Sequence, residues 1–453
     1  MTIGQLAALW TISTRERLAG EEGISKMEKL RSVISAMNQE ALPRRIEIGL
    51  LLAVSILALA LRLLYVTYEG GWNRPPEYDG IEYDMLANNL LSGSGYSLQE
   101  GHPYGFRPPG YPFFLALLYA VFGRSYVAVR LVNVLLGTLT CLLIYQFAKH
   151  VWQWRMGLLA SLGVAIHPLL IYFVSMVYPE CLILCLTAVV FLLVNEASES
   201  RRIRDVLPIG LVLSILVYLR PSMLTFGLML CIWIWLTYET IRKRLLSCIC
   251  LVVVMALAIA PWSIRNYLAF DEFIWMATEG GVTFWASNNP LAQGGWVEPS
   301  PATWLGPDPP VDLRGWPELT ETESEARFLN AAREWIRDHP GEFLSLLPRK
   351  LIRAWSLGFG NEARQANLPG IVIVAYTAFL SICLIGFVLS LQRWQDSLVL
   401  YLLIINSNLM ALIFYGSTRQ SSFLVLPLVI FAALVFDRIL RIMMSVLMRS
   451  INR

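Results

Sequence analysis

Ten apolar runs, most of them near the length that crosses a bilayer, leave this chain few ways to fold. They cover about 46–67, 126–148, 156–174, 178–194, 207–219, 222–238, 245–264, 369–391, 398–414 and 421–436. A hydrocarbon core about 30 Å thick asks for about 20 apolar residues per helix. In lipid the backbone must satisfy its own hydrogen bonds, so helices are the only spanning form these runs allow. Composition agrees: of 453 residues, 56% are hydrophobic and 15% charged, against about 45–50% and 25% for a soluble domain. The expectation is an all-α polytopic membrane protein with about ten transmembrane helices. The run 207–219 is short, and 111–122, too short to span, reads as a helix at the interface.

Short loops rich in Lys and Arg stay on the cytoplasmic side. With the N-terminus inside, the inner loops hold Lys149 and Arg155, then Arg201, Arg202 and Arg204, then Arg242, Lys243 and Arg244, then Arg393. Reversing the topology would move nearly every basic loop outside. Residues 68–125 and 265–368 then form two large outer loops of one membrane domain, 46–440, set between a cytoplasmic leader (1–45) and tail (441–453). The leader carries no cleavable signal, and 26–34 has the pattern of an amphipathic helix or of a disordered arm. No basic run interleaves with aromatics, which argues against nucleic acid as a partner. The seven cysteines lie in or beside apolar runs and read as small buried hydrophobes.

Charge is costly in hydrocarbon, so an acidic cluster beside a span calls for a reason. Glu77, Asp79, Glu82 and Asp84 follow the first span, and Arg107-Pro108-Pro109-Gly110-Tyr111-Pro112 follows them. Glu180, Arg220, Arg265 and Arg419 fall at the outer ends of other spans. Glu82 and Asp84 read as solvated or supporting groups. In the second outer loop, 324–336 and 342–355 read as amphipathic helices separated by His339-Pro340. Arg349, Lys350 and Arg353 of the latter suit a headgroup layer. His102 and His339 read as loop and cap residues, and His167 as a satisfied core group.

Several of these segments, in order, resemble a known family. Asp79-x-x-x-Tyr83-x-x-x-Ala87-x-x-Leu90, Arg107-Pro108-Pro109-Gly110-Tyr111-Pro112 and Arg130-Leu131 are similar to the first outer loop of GT-C membrane glycosyltransferases. The branch is the one of protein O-mannosyltransferases, aminoarabinose transferases and lipopolysaccharide galacturonosyltransferases. Tyr178-Pro179-Glu180, Leu219-Arg220-Pro221, Pro261-Trp262, Arg265-Asn266-Tyr267, Trp285 with Asn288-Asn289-Pro290, and Trp335-Ile336 with His339-Pro340 extend the likeness over about 61–431. Two positions depart from the pattern: Phe106 stands where relatives often carry an acid, and Arg419-Gln420-Ser421 where they often read Arg-aromatic-Arg.

The resemblance implies transfer of a sugar, with inversion, from a polyprenyl-phosphate donor to a hydroxyl of a glycan, lipid or protein. It also implies a cell-envelope enzyme of the bacterial inner membrane with its site on the outer side. Asp79 is the expected general base, raised in pKa by partial burial; N-capping a helix over 80–91 is its structural alternative. Glu180 is the expected donor-site acid, and with Asp79 it is the candidate pair for a divalent metal ion, the one cofactor considered. Arg107, Arg220, Arg265 and Arg419 are expected to bind the donor phosphate, or else to snorkel to headgroups. Tyr83, one turn beyond Asp79, is a donor contact. A transporter or flippase of lipid-linked sugars is the alternative, disfavoured because the span interiors look nearly uncharged and the outer loops are large.

Overall fold

A computed structural model describes residues 43–69, 71–99, 101–299, 320–356 and 370–451. The expected amphipathic segment 26–34 and much of the Pro/Gly-rich stretch before Pro317 lie outside them. Every regular element among the described residues is a helix, with a single isolated bridge between Gln99 and His102. In chain order these are α1 (Arg44–Tyr68), α2 (Asp79–Ser92), α3 (Gly110–Phe122), α4 (Tyr126–Val151), α5 (Trp154–Ile166), α6 (Pro168–Tyr172), α7 (Glu180–Ser200) and α8 (Val206–Leu219). They continue with α9 (Met223–Thr237), α10 (Ile241–Phe270), α11 (Glu279–Ser287), α12 (Glu321–Asp338), α13 (Pro340–Ala354), α14 (Gly370–Ser390), α15 (Trp394–Ile413) and α16 (Val425–Ile451).

Six helical runs among the described residues are long and apolar enough to cross a membrane, and α5 with the segment Pro168–Ser175, bent by 55°, makes a seventh. The expected ten spans are not reached by this measure. The 14 residues of α8 and 15 of α9 give about 20 Å each at 1.5 Å per residue, short of a bilayer core. Two other expected spans fall in one 41-residue run, Ile373–Ile413, which leaves helical geometry at Arg393 (φ −127°, ψ 49°). Pro168 and Pro221 mark two of the breaks, each removing a donor where a helix would otherwise continue.

The span interiors are also less free of charge than expected. Arg62 of α1 is fully buried and donates to the carbonyls of Ala58, Val164 and Ala165, each at 3.1 Å. It thereby serves the last turn of α5, whose end carbonyls have no partner of their own. His167 stands at the α5–α6 break, and its Nδ1 has no hydrogen-bond partner among the described atoms, so it is not the satisfied core group expected.

The elements of the two long loops pack over this bundle. α2 and α3 come from the loop 68–125, and α11, α12 and α13 from the loop 265–368. α12 starts three residues before its expected first turn, because Thr320 and Glu323 form a capping box. Glu321 then accepts hydrogen bonds from the Gly105 amide (2.8 Å) and the Thr278 hydroxyl (3.0 Å), tying the second loop to the first. Asp84 is not solvated. It is buried in the second turn of α2, accepting from Arg124, Tyr119 and Tyr126.

Candidate active site

Asp79 and Glu180 are each the first residue of a helix, α2 and α7, where unpaired amides favour negative charge. Asp79 makes no side-chain cap. Its predecessor Tyr78 has φ 50° and ψ −128°, a backbone region that non-glycine residues seldom occupy and that tends to mark functional turns. Freed from capping, the carboxylate faces arginines. Oδ1 accepts from Arg107 Nη2 at 2.8 Å, and Oδ2 accepts from Arg419 Nη1.

Arg419 joins the two acids. Its Nε donates to Glu180 Oε1 at 2.7 Å, and Arg220 Nη2 reaches the same oxygen at 3.2 Å. Glu180 is fully buried, and its Oε2 has no partner among the described atoms. Arg220 also donates to the Gln420 carbonyl at 3.2 Å, which ties the α8–α9 break to the Arg419 loop. Arg107 in turn donates to Glu82 and lies 3.5 Å from Glu279. It reaches this place because α3 begins against the end of α8: a Cβ on Gly110 would stand 2.6 Å from the Tyr218 carbonyl. Aromatic rings border the charges. Arg419 lies 4.1 Å above Tyr178, Arg107 lies 6.0 Å from the Tyr83 ring, and Tyr83 meets Tyr111 edge to face.

Four carboxylates thus surround three guanidiniums. Burial alone would push the Asp79 carboxyl up, but Arg419 and Arg107 outweigh it and hold Asp79 below the ordinary aspartate value. The expected upward shift is therefore reversed in the free site. Glu279 goes the other way: burial raises it, Arg107 only partly compensates, and nearby Asp79 adds to the rise. Of the four acids, Glu279 is thus shifted toward the protonated form.

Asp79, Glu180, Arg107, Arg220 and Arg419 come together, with the Tyr83 ring at the edge. Arg265 does not join them. Its guanidinium donates to the carbonyls of Tyr104 and Tyr96, each at 2.9 Å, and stacks over Trp262. Glu279 was not foreseen. It opens α11 in Met276-Ala277-Thr278-Glu279-Gly280-Gly281, a short helix whose two glycines hide its start; an acid ahead of a Gly pair and an aromatic run was the available signal. As for a metal, no group of three or more His, Cys, Asp or Glu among the described residues is placed to hold one. Arg419 occupies the gap between Asp79 and Glu180, so this pair does not fit a divalent ion as it stands.

The family described as dolichyl-phosphate-mannose-protein mannosyltransferase matches residues 106–264. That stretch contains Arg107, Glu180 and Arg220 and stops short of Asp79, Arg265 and Arg419. Among solved structures, ArnT from Cupriavidus metallidurans in the apo state aligns with TM-score 0.52 and 15% identity over 84% of this chain and 59% of its own. The same protein bound to undecaprenyl phosphate aligns with TM-score 0.50 and 14% identity over 84% and 60%. The oligosaccharyltransferase of Archaeoglobus fulgidus, tethered to an acceptor peptide, aligns with TM-score 0.51 and 12% identity over 87% of this chain and 50% of its own. The membrane fold is that of the GT-C glycosyltransferases. The chain spans between half and three-fifths of the length of these proteins. No curated protein sequence matches it.

Proposed function

We propose that the protein transfers a sugar from a polyprenyl-phosphate donor to an acceptor hydroxyl at the outer face of a bacterial inner membrane. Both chain ends would then be cytoplasmic. The observation that carries this reading is the chain of three ion pairs Arg107–Asp79–Arg419–Glu180, in which the Asp79 carboxylate is held by two cations. The undecaprenyl phosphate on ArnT and the family match over 106–264 support the donor class.

In the free site Asp79 is ionised but a weak base, because two guanidiniums engage it. A donor phosphate entering between Arg107, Arg220 and Arg419 offers them a second anion, which Arg binds in bidentate fashion. As the contacts of Arg107 and Arg419 pass from Asp79 to the phosphate, the carboxylate regains basicity. It then takes the proton of the acceptor hydroxyl while that oxygen attacks the anomeric carbon from the face opposite the phosphate. A positioned base of this kind contributes about 10²–10⁴-fold. The bond from the anomeric carbon to the phosphate oxygen breaks with its electron pair on the phosphate, and the arginines receive the charge. The products are the inverted glycoside and polyprenyl phosphate, and Asp79 returns its proton to water. No step requires a metal. Mass spectrometry of envelope glycolipids and glycans, with and without the protein, tests the reading: one glycosylated species should vanish, and identical profiles would refute it.

A further inference from the structure

Lys350 of α13 is fully buried, and its three oxygen partners are all neutral. Its ammonium donates to Asn288 Oδ1 at 2.7 Å, to the Leu412 carbonyl at 3.1 Å and to the Ile413 carbonyl at 3.4 Å. An interfacial lysine was expected to meet headgroups; this one faces inward. Leu412 and Ile413 end α15, and Asn288 is the C-cap of α11. The Asn288 amide also donates to the carbonyls of Phe284 (2.7 Å) and Ile413 (3.2 Å). Two helix carboxyl ends, each carrying about half a negative charge, therefore converge on one cation. They stand in for a carboxylate partner, although burial still pulls the lysine down to about 7.

The two helices so joined lead to the candidate site. α11 begins at Glu279, which faces Arg107. α15 runs directly into the loop that carries Arg419. The same α13 backbone seats that loop: a Cβ on Gly416 would lie 1.9 Å from the Lys350 carbonyl oxygen. The Gly416 amide donates to the Gly294 carbonyl at 3.0 Å, and Thr418 Oγ1 donates to the Ser356 carbonyl at 3.2 Å. We infer that Lys350 is a positioning residue, clamping the ends of α11 and α15 so that the 414–421 loop presents Arg419 to Asp79 and Glu180. Its meaning for catalysis rests on the glycosyl-transfer reading; the clamp itself does not.

The test uses full-length protein in detergent, as wild type, Lys350→Met, Asn288→Leu, Arg419→Gln and the Lys350→Met/Arg419→Gln double variant. Hydrogen exchange at the Gly416, Gln420 and Ser421 amides is expected to quicken at least about tenfold in Lys350→Met, with α4 and α7 unchanged. Asn288→Leu leaves the lysine in place but removes its side-chain acceptor on α11 and the amide donor to Ile413, so it should loosen the same amides and decides the question if Lys350→Met does not fold. With undecaprenyl phosphate as probe, Lys350→Met should weaken binding about tenfold, and the double variant should bind no more weakly than Arg419→Gln, since coupled residues are not additive. Wild-type exchange in the loop of both variants, loosening spread over all helices, or multiplied losses in the double variant would each overturn the inference. Wild-type binding by Arg419→Gln would instead sink the glycosyl-transfer reading and leave the exchange data to judge the clamp alone.

Discussion

Arg62 and Arg419 are both guanidiniums in a chain made for lipid, yet their partners differ in kind. Arg62 donates to carbonyls of α1 and α5. Arg130 likewise donates to the carbonyls of Ser175, Trp72 and Arg74, and Arg265 to those of Tyr96 and Tyr104. Arg107, Arg220 and Arg419 donate to carboxylates. A carbonyl partner belongs to the fold, is neutral and cannot leave. A carboxylate partner is an anion that a phosphate can replace. The first set therefore marks cations that pin backbone of the fold, a helix end for Arg62 and loop carbonyls for Arg130 and Arg265, and the second marks cations free to change partners.

The sharpest way to break this division is at its anionic centre. Asp79→Asn keeps the shape but loses the base, and it should lower transfer by about 10²–10⁴-fold with membrane insertion and expression intact. Full activity in that variant would remove Asp79 from the chemistry. Next in size is Arg419→Gln, which leaves the buried Glu180 with Arg220 alone. A hydrogen bond to a charged group is worth about 1.5–3 kcal/mol, so binding of undecaprenyl phosphate should fall by about one to two orders of magnitude (about 1.4 kcal/mol per tenfold). Titration of the purified variant against wild type reads this directly.

Arg265 tests the division from the other side. Sequence placed it among the phosphate binders, whereas its partners place it with Arg62. Arg265→Gln should destabilise the protein by about 1–3 kcal/mol, because the Tyr96 and Tyr104 carbonyls lose a donor. Its KM for donor should stay at the wild-type value. A raised KM with unchanged thermal unfolding would move Arg265 back into the donor site.

The same contrast shows what the sequence could and could not reveal. Positions at span ends are legible from hydropathy, and Glu180, Arg220 and Arg419 stand at expected ends, while Asp79 and Arg107 lie in the loop 68–125. Direction is not legible: Arg265 ends a span too, but stacking on Trp262 turns it toward backbone oxygens. Asp84 was misread because its partner Arg124 lies 40 residues away. Glu279 escaped because no periodicity surrounds it. The span count differed at α8 and α9, which the Pro221 break leaves short, and at 373–413, where two expected spans form one run, since hydropathy registers apolar length and not the axis along which it runs.

The smallest expected effect bears on partner exchange itself. In the free site Arg419 and Arg107 hold Asp79 below its ordinary value. A carboxylate lowered in this way contributes stability that is present above the usual value near 4 and is lost as pH falls through the lowered one. The acid limb of kcat/KM, which reports free enzyme, should therefore lie below about 4. Once donor phosphate draws the guanidiniums away, burial acts on Asp79 with less opposition and its pKa rises. The acid limb of kcat, which reports the complex, should then sit higher, by about one unit for each 1.4 kcal/mol of guanidinium contact transferred. Coincident limbs would mean that the arginines keep hold of Asp79 throughout, and that the phosphate is bound by other groups.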